Sequence, residues 1–333
     1  MIEKLNELQH INKDICKFCK FYEEDYMPYE DEEIHLEWCH YNDGKYSIKT
    51  KNQIMSYEIH DCDGFKEKIE YYLKKIEQEY DITILYAVES GSRVWGFFNE
   101  ESDYDIRFIY KHNKLSKYLH VNNKYEDVMI FSDGLYDTVG WDIKKTLWLY
   151  SKNNPSLYEW LNSDLIYVEG CLSRFKELPP MNNKSLLHHY VNMGRKNWNK
   201  YCINWRTEED ITKVCKKFLY VIRCILSWNM IFNDIKPCLN INKLLGQNID
   251  NQLLPEGIDK NISFLDFLYS SYSLHEPIYS LKQEVEYVFE KLEDWIISSL
   301  NDMLLKTDKY ISNNINSFKE EYNKLFYELV VEE

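Results

Sequence analysis

The sequence is short of the residues that build fibres, linkers and membrane spans. Its ten Gly and seven Pro exclude collagen-like and low-complexity organisation. No apolar run approaches the ~18–20 residues that a bilayer crossing requires. The N-terminal stretch MIEKLNELQHINKDICK alternates charge with apolar residues, where a signal peptide needs an unbroken apolar centre. Basic charge is in deficit as well: 40 Lys and Arg stand against 55 Asp and Glu, a net charge of −15. Such a chain repels nucleic acid unless it carries a local basic face, because non-specific binding rests on counterion release by clustered cations. The nine cysteines are scattered and odd in number, and Cys202, Cys215 and Cys224 sit inside apolar patterns. They predict reduced core thiols rather than a disulfide framework. These absences predict a soluble, intracellular, cytoplasmic protein.

What is present is core material. Nine Trp, 28 Tyr and 15 Phe in 333 residues rule out disorder across the chain and leave room for about two domains. Residues 1–64 read as an acidic extension. No Lys or Arg lies between Lys20 and Lys45, while Glu23, Glu24, Asp25, Glu30, Asp31, Glu32, Glu33, Glu37 and Asp43 crowd together, as in a solvated or partly disordered segment. One or two short strands are expected over Tyr46–Tyr57. Cys16 and Cys19, with Cys39, His40, His60 and Cys62 further on, have the look of a zinc module. Only one pair has structural zinc spacing, however, and its acidic, irregular surroundings weigh against it.

From Phe65 the pattern changes. Phe65, Ile69, Tyr72, Leu73 and Ile76 recur at three- and four-residue spacing and predict an amphipathic helix. Strands are expected at Thr83–Val88, Asp103–Tyr110, Glu126–Phe131 and Leu135–Val139, with an extended piece at Asp164–Val168. A helix after Gly140 must stop at Asn153-Asn154-Pro155, and another restarts at Pro155. Helices follow near His188–Tyr201, Glu208–Phe232, Ile262–Tyr269, Gln283–Met303 and Asn314–Leu329. The expected fold is α+β: a small, mixed, twisted sheet with helices on one side, over residues 65–175, joined to a helical domain over 176–333.

The chemistry concentrates between Tyr86 and Trp160. Side chains alternate along a strand, so Asp103 and Asp105 share one face, about 7 Å apart. Two such carboxylates repel unless something positive lies between them. A divalent cation answers that need, and oxygen-only ligands point to Mg²⁺ or Mn²⁺ rather than Zn²⁺. Asp137, on a later strand, completes a triad able to hold two metal ions if the strands are neighbours. Asp142 is the rival third carboxylate, though its place at a helix start suits an N-cap. Ser90-Gly91-Ser92 forms a strand-to-helix turn, a setting that favours phosphate. A phosphate cradle followed by Asp-x-Asp is the arrangement that two-metal phosphoryl transfer needs.

Gly91-Ser92, then Asp103-Tyr104-Asp105, then Asp137 resembles the signature of the polymerase-β-type nucleotidyltransferase superfamily. Within it, ESGSRVWGF, SDYDIRFIY and DTVGWDIKKTLWLYSKNNPSLYEWLNSDLIYVE resemble the RNA-repair-associated branch, the RlaP or YcgL-like family (RNA ligase-associated polymerase). HHYVNMGRKNW and CKKFLYVIRCILSW resemble that family's helical part, so the likeness runs from about Phe65 to Leu245. It implies that Gly91 and Ser92 grip a nucleoside triphosphate, that Asp103 and Asp105 bind both metals, and that Asp137 binds the one activating the acceptor. The reaction implied is attack of a hydroxyl on the α-phosphorus of an NTP, pyrophosphate leaving, with a helical domain closing over the nucleotide. An RNA 3′ end is the acceptor the family suggests. The acidic charge leaves room for a protein hydroxyl, as in toxin-neutralising nucleotidyltransferases, or for a small molecule. A non-catalytic nucleotide- or partner-binding module is the second class; a nuclease would leave the Gly-Ser cradle without purpose.

Other residues carry two readings each. Arg93 either neutralises a phosphate or pins its loop. Within Tyr190–Arg223, eight Lys and Arg face three acidic residues, and Lys217, Tyr220 and Arg223 follow one another at i, i+3 and i+6. That spacing suggests a helical face for NTP phosphates or an RNA backbone, or else a solvated helix with Arg223 in a structural ion pair. Asn154-Pro155 and Glu159-Trp160 read as a helix stop, a restart and a core aromatic. His188 and His189 read as packing residues, since neighbours on a helix diverge by about 100°.

Overall fold

The computed structural model describes strands at 22–29, 32–39 and 46–49 and residues 63–98, 102–119, 125–132, 136–207, 211–253, 282–310 and 320–332. Two compact units divide the chain: residues 1–82 with 98–102, and residues 83–97 with 103–333.

In the first unit, β1 (Tyr22–Tyr29), β2 (Glu32–Cys39) and β3 (Tyr46–Lys49) form an antiparallel meander. Two strands thus lie within the acidic run, ahead of the one expected from Tyr46. Ile34, Leu36 and Trp38 alternate with Glu33, His35 and Glu37, the period of a strand, and charge density had masked it. The pairing even sets Glu24 opposite Glu37. Cys39 ends β2; Cys16, Cys19, His40, His60 and Cys62, the rest of the candidate zinc group, lie outside the described residues. The predicted amphipathic helix runs from Asp63 to Tyr80, with Ile69, Leu73 and Ile76 buried.

The second unit is built on β4 (Ile82–Ser90), β5 (Tyr104–His112), β6 (Val128–Ser132), β7 (Tyr136–Asp142) and β8 (Ile166–Val168), in the order β6-β7-β5-β4-β8. β5 and β7 are parallel, whereas β6 and β8 pair antiparallel to β7 and β4. The sheet is therefore mixed, as the sequence predicts. β4 is buried almost throughout, which explains its unbroken run of apolar and β-branched residues. β7 continues two residues beyond Gly140, and Asp142 then caps the helix Ile143–Ser151, its carboxylate accepting from the Lys144 amide at 2.8 Å. Gly140 faces Phe108 across the ladder; a Cβ there would lie 2.2 Å from the ring, so the glycine makes room for the aromatic. Asn154 caps Pro155–Trp160 in the same way as Asp142, through the Leu157 amide.

The helices Asn183–Asn197, Ile211–Phe232 and Lys282–Lys309 pack together around Tyr190, Phe218, Ile222, Phe289 and Ile296. The helix expected at Ile262–Tyr269 lies outside the described residues; the last one spans Glu320–Tyr327 and continues as a π-helical turn to Glu332. Among the described residues no helix is long and apolar enough to cross a membrane.

Cys202, Cys215 and Cys224 are fully buried free thiols in this core, and burial pushes Cys202 and Cys224 up to about 12. Mapped by alkylation in native buffer, these three should stay unmodified while half-buried Cys238 reacts, and all should react in denaturant.

Candidate active site

The site lies in the second unit, where the end of β4 meets the short helix Gly91–Trp95. Gly91 has φ +64°, and a Cβ on it would stand 1.8 Å from Asp105 Oδ2. Only a glycine lets the backbone turn this way with a carboxylate pressed against it. The parallel register sets Asp105 directly across from Asp137. Between them lies Arg107, whose Nη2 donates to Asp105 Oδ1 at 2.6 Å and to Asp137 Oδ2 at 3.0 Å, while Nη1 donates to the Asp137 carbonyl at 2.6 Å. The chain thus supplies a positive charge between Asp105 and Asp137, and none of these bonds reaches Asp103. The alternation that pairs Asp103 with Asp105 puts Arg107 on the same face, and that signal was there to be read.

Burial raises the Asp105 carboxyl to about 6; Arg107 opposes the shift, and the charges of Asp103 and Asp137 add to it. Asp103 is exposed, one residue before β5 begins. Beneath Asp105 lies Glu89, 1% exposed. Its Oε1 accepts from the Asp105 amide at 2.9 Å and its Oε2 from the Tyr167 hydroxyl at 2.7 Å. Burial raises Glu89 to about 7 against the pull of those bonds and of Arg93. Nothing in the sequence marks Glu89 out, since a carboxylate ending a strand is ordinary.

A cleft of about 450 Å³ opens beside Asp105 and Arg107, with Ser90 and Gly91 on its rim. Its walls are aromatic: Trp95, Trp141, Trp160 and Tyr220. Trp141 and Trp160 stack at 3.8 Å, and Trp95 meets Tyr220 edge-on at 5.2 Å. His189, packed edge-on against Tyr190, also borders the cleft with Met193, and burial lowers its pKa.

The other predicted site residues scatter around this centre. Ser92 is buried, its carbonyl accepting from Phe97, and Ser90 stands at the rim instead. Arg93 is buried, stacked 3.7 Å from the Tyr104 ring centre and donating to the Asp103 carbonyl, which is the loop-pinning arrangement. Asp142 is at the opposite end of β7 from Asp137 and is held by Tyr118, Tyr125 and Lys144. Lys217 lines an adjoining cleft, with its ammonium 5.1 Å from the Tyr220 ring centre.

Arg223 takes the ion-pair alternative. Each step of three residues turns a helix about 60° short of a full circle, so Arg223 points about 120° away from Lys217. It is fully buried, pairing with Glu159 at 3.0 Å and lying 4.1 Å from the Trp95 ring centre. Glu159 also accepts from Tyr190 at 3.1 Å and from the Trp95 indole at 3.2 Å. The helix restart expected at Pro155 is there; the ion pair it carries leaves no local pattern in the sequence.

Two outcomes follow. Glu159→Ala strands a buried guanidinium and should lower stability by about 3–5 kcal/mol in urea unfolding, with part regained in Glu159→Ala/Arg223→Met. Glu89 binds protons more tightly folded than unfolded, so its contribution to stability is greatest below about pH 4.5 and is lost as pH rises to about 7. The stability difference between wild type and Glu89→Gln should therefore move in favour of the variant across that window and level off above it, as read from urea midpoints at stepped pH.

A family model described as "RlaP: RNA repair pathway DNA polymerase beta family" matches residues 65–293. The chain is also 39% identical over 171 residues to the uncharacterized protein YcgL of Bacillus subtilis (strain 168). That match covers 50% of this chain and 63% of the relative.

Proposed function

The chain belongs to the RlaP family, the RNA repair pathway polymerase-β group, and on that premise we propose that it is a metal-dependent nucleotidyltransferase moving NMP from an NTP to an acceptor hydroxyl, with an RNA 3′ end as acceptor. The observation that carries the reading is the juxtaposition of Asp105 and Asp137 across a parallel ladder, with the Asp105 carboxylate against Gly91 at the strand-to-helix turn.

The donor chemistry fits Mg²⁺ or Mn²⁺. Asp103, Asp105 and Asp137 offer oxygen alone, and burial with the charges of Asp103 and Asp137 disfavours the ionised Asp105, which a hard cation would relieve. Among the described residues no three ligands form a ready-made cluster, and Arg107 holds the Asp105–Asp137 pair together. When bound, the divalent ion would neutralise charge on the phosphates and raise the acidity of the attacking hydroxyl. The chain's own residues do the rest. The Ser90–Ser92 turn receives phosphate oxygens, and the aromatic walls take the base. Asp137 orients the acceptor side, and Arg107 keeps both carboxylates aligned. Glu89 fixes the backbone of Asp105 from below. The NTP and RNA are the partners this reading requires, and residues 1–64, 65–175 and 176–333 serve as acidic extension, transferase core and helical domain.

The test offers each α-labelled NTP with Mg²⁺ or Mn²⁺ to total RNA, to protein lysate, or without acceptor. Label should reach RNA with the wild type and fall at least 100-fold in Asp103→Ala/Asp105→Ala. NTP binding with no transfer to any acceptor would overturn the catalytic reading in favour of a binding module. Label on protein would replace the RNA acceptor and keep the chemistry.

A further inference from the structure

The second cleft, about 450 Å³, is lined by Lys200, Tyr201, Asn204, Thr207, Lys213 and Lys217. It is made by a change of helical pitch. After Asn197 the helix widens into a π turn, Trp198–Cys202, followed by a 3₁₀ turn at Trp205–Thr207. Trp198, Cys202 and Trp205 are buried, the two indoles packed edge-on against Phe218 and Phe289. Lys200, Tyr201, Asn204 and Thr207 are thereby held outward on a rigid footing. A widened turn of this kind often marks a functional position.

The outward face has one composition. Tyr201 is exposed, and the ammonium groups of Lys200 and Lys217 lie 4.6 and 4.5 Å from its ring centre. Among the described residues no carboxylate pairs with either lysine. In a chain of net charge −15, two ammonium groups over one aromatic ring are a distinctive arrangement. Lys217 also lies 5.1 Å from the ring of Tyr220, and Tyr220 contacts Trp95 at 5.2 Å in the carboxylate cleft. Aromatic, cation, aromatic, aromatic: the succession leads from the second cleft to the first.

We propose that the Lys200–Tyr201–Lys217 cleft binds single-stranded RNA, one base stacking on Tyr201 while the lysines take the flanking phosphates, so that the strand's end is led along Tyr220 towards Asp105. The two ammonium groups lie over the Tyr201 ring; a strand offers them phosphates to turn to and a base to take the ring face they leave, a face for which an acidic peptide would have no use. The path towards Asp105 rests on the transferase reading; the binding does not.

The experiment is fluorescence anisotropy with a labelled ten-nucleotide oligo(U), in EDTA and without NTP. Tyr201→Ala should weaken binding roughly tenfold or more, and Tyr201→Phe by less than about twofold. Lys200→Gln/Lys217→Gln should lower the slope of log K against log salt by about 1.4, two phosphate contacts' worth. Oligo(dU) bound as well as oligo(U) would uphold the site as one that ignores the sugar, and tighter RNA binding would uphold it with recognition of the 2′-hydroxyl. Wild-type affinity in Tyr201→Ala would overturn the proposal. So would a polyglutamate peptide binding as tightly as the RNA, or no RNA binding by the wild type in low salt. Asp105→Asn separates the two readings, because it should abolish transfer and leave oligo(U) affinity unchanged.

Discussion

Moving a carboxylate and a guanidinium out of water costs several kcal/mol each, and attraction offsets that only if their remaining hydrogen-bonding capacity is met. Glu159 meets that condition, and Arg223 meets it in part: its Nη2 bonds Glu159, while its buried Nε and Nη1 find no acceptor among the described residues. Glu159 receives three donors, from Arg223, Tyr190 and Trp95, and the guanidinium also lies against the Trp95 ring. The elements that bring these groups are the short helix after β4, the helix Pro155–Trp160, and the two long helices Asn183–Asn197 and Ile211–Phe232. Each would be free to slide on a purely apolar contact. A buried charge with directional partners permits one arrangement, and it fixes Trp95 and Tyr220 as walls of the cleft.

The charges facing the cleft are handled in the opposite way. Where Glu159 is well supplied with donors, Asp105 is raised first by burial and then by the charges of Asp103 and Asp137, with the Arg107 guanidinium opposing the shift. Glu89 accepts two hydrogen bonds and is still pushed to about 7. The same cleft thus borders a buried ion pair and, beside it, a group of carboxylates held in a poorly solvated setting. Such a setting costs stability, and it is what a cationic cofactor can turn to use.

The parts legible in the sequence were those with a local period. The helix from Asp63, the strand from Ile82 and the Asp-x-Asp alternation could be read because burial repeats every two or every 3.6 residues. Arg107 is equally legible, two residues beyond Asp105 on the same strand face. The Asp105–Asp137 pairing was not legible, since strand register is set by contacts across the sheet. Arg223 misled because i, i+3, i+6 looks like one face and is a drifting one. In the acidic N-terminal segment, charge density hid the alternation of Ile34, Leu36 and Trp38 that belongs to β2.

Gly91 has a consequence for the gene as well as for the molecule. Every amino acid one base change away from glycine carries a Cβ, and at this position that atom would coincide with the Asp105 carboxylate. The backbone cannot relax to a common conformation without moving the turn that ends β4. No gradual series of side chains leads away from this residue. A lineage keeping the Asp105 contact keeps the glycine, and one that loses it must displace the Asp105 side chain and strain the turn together.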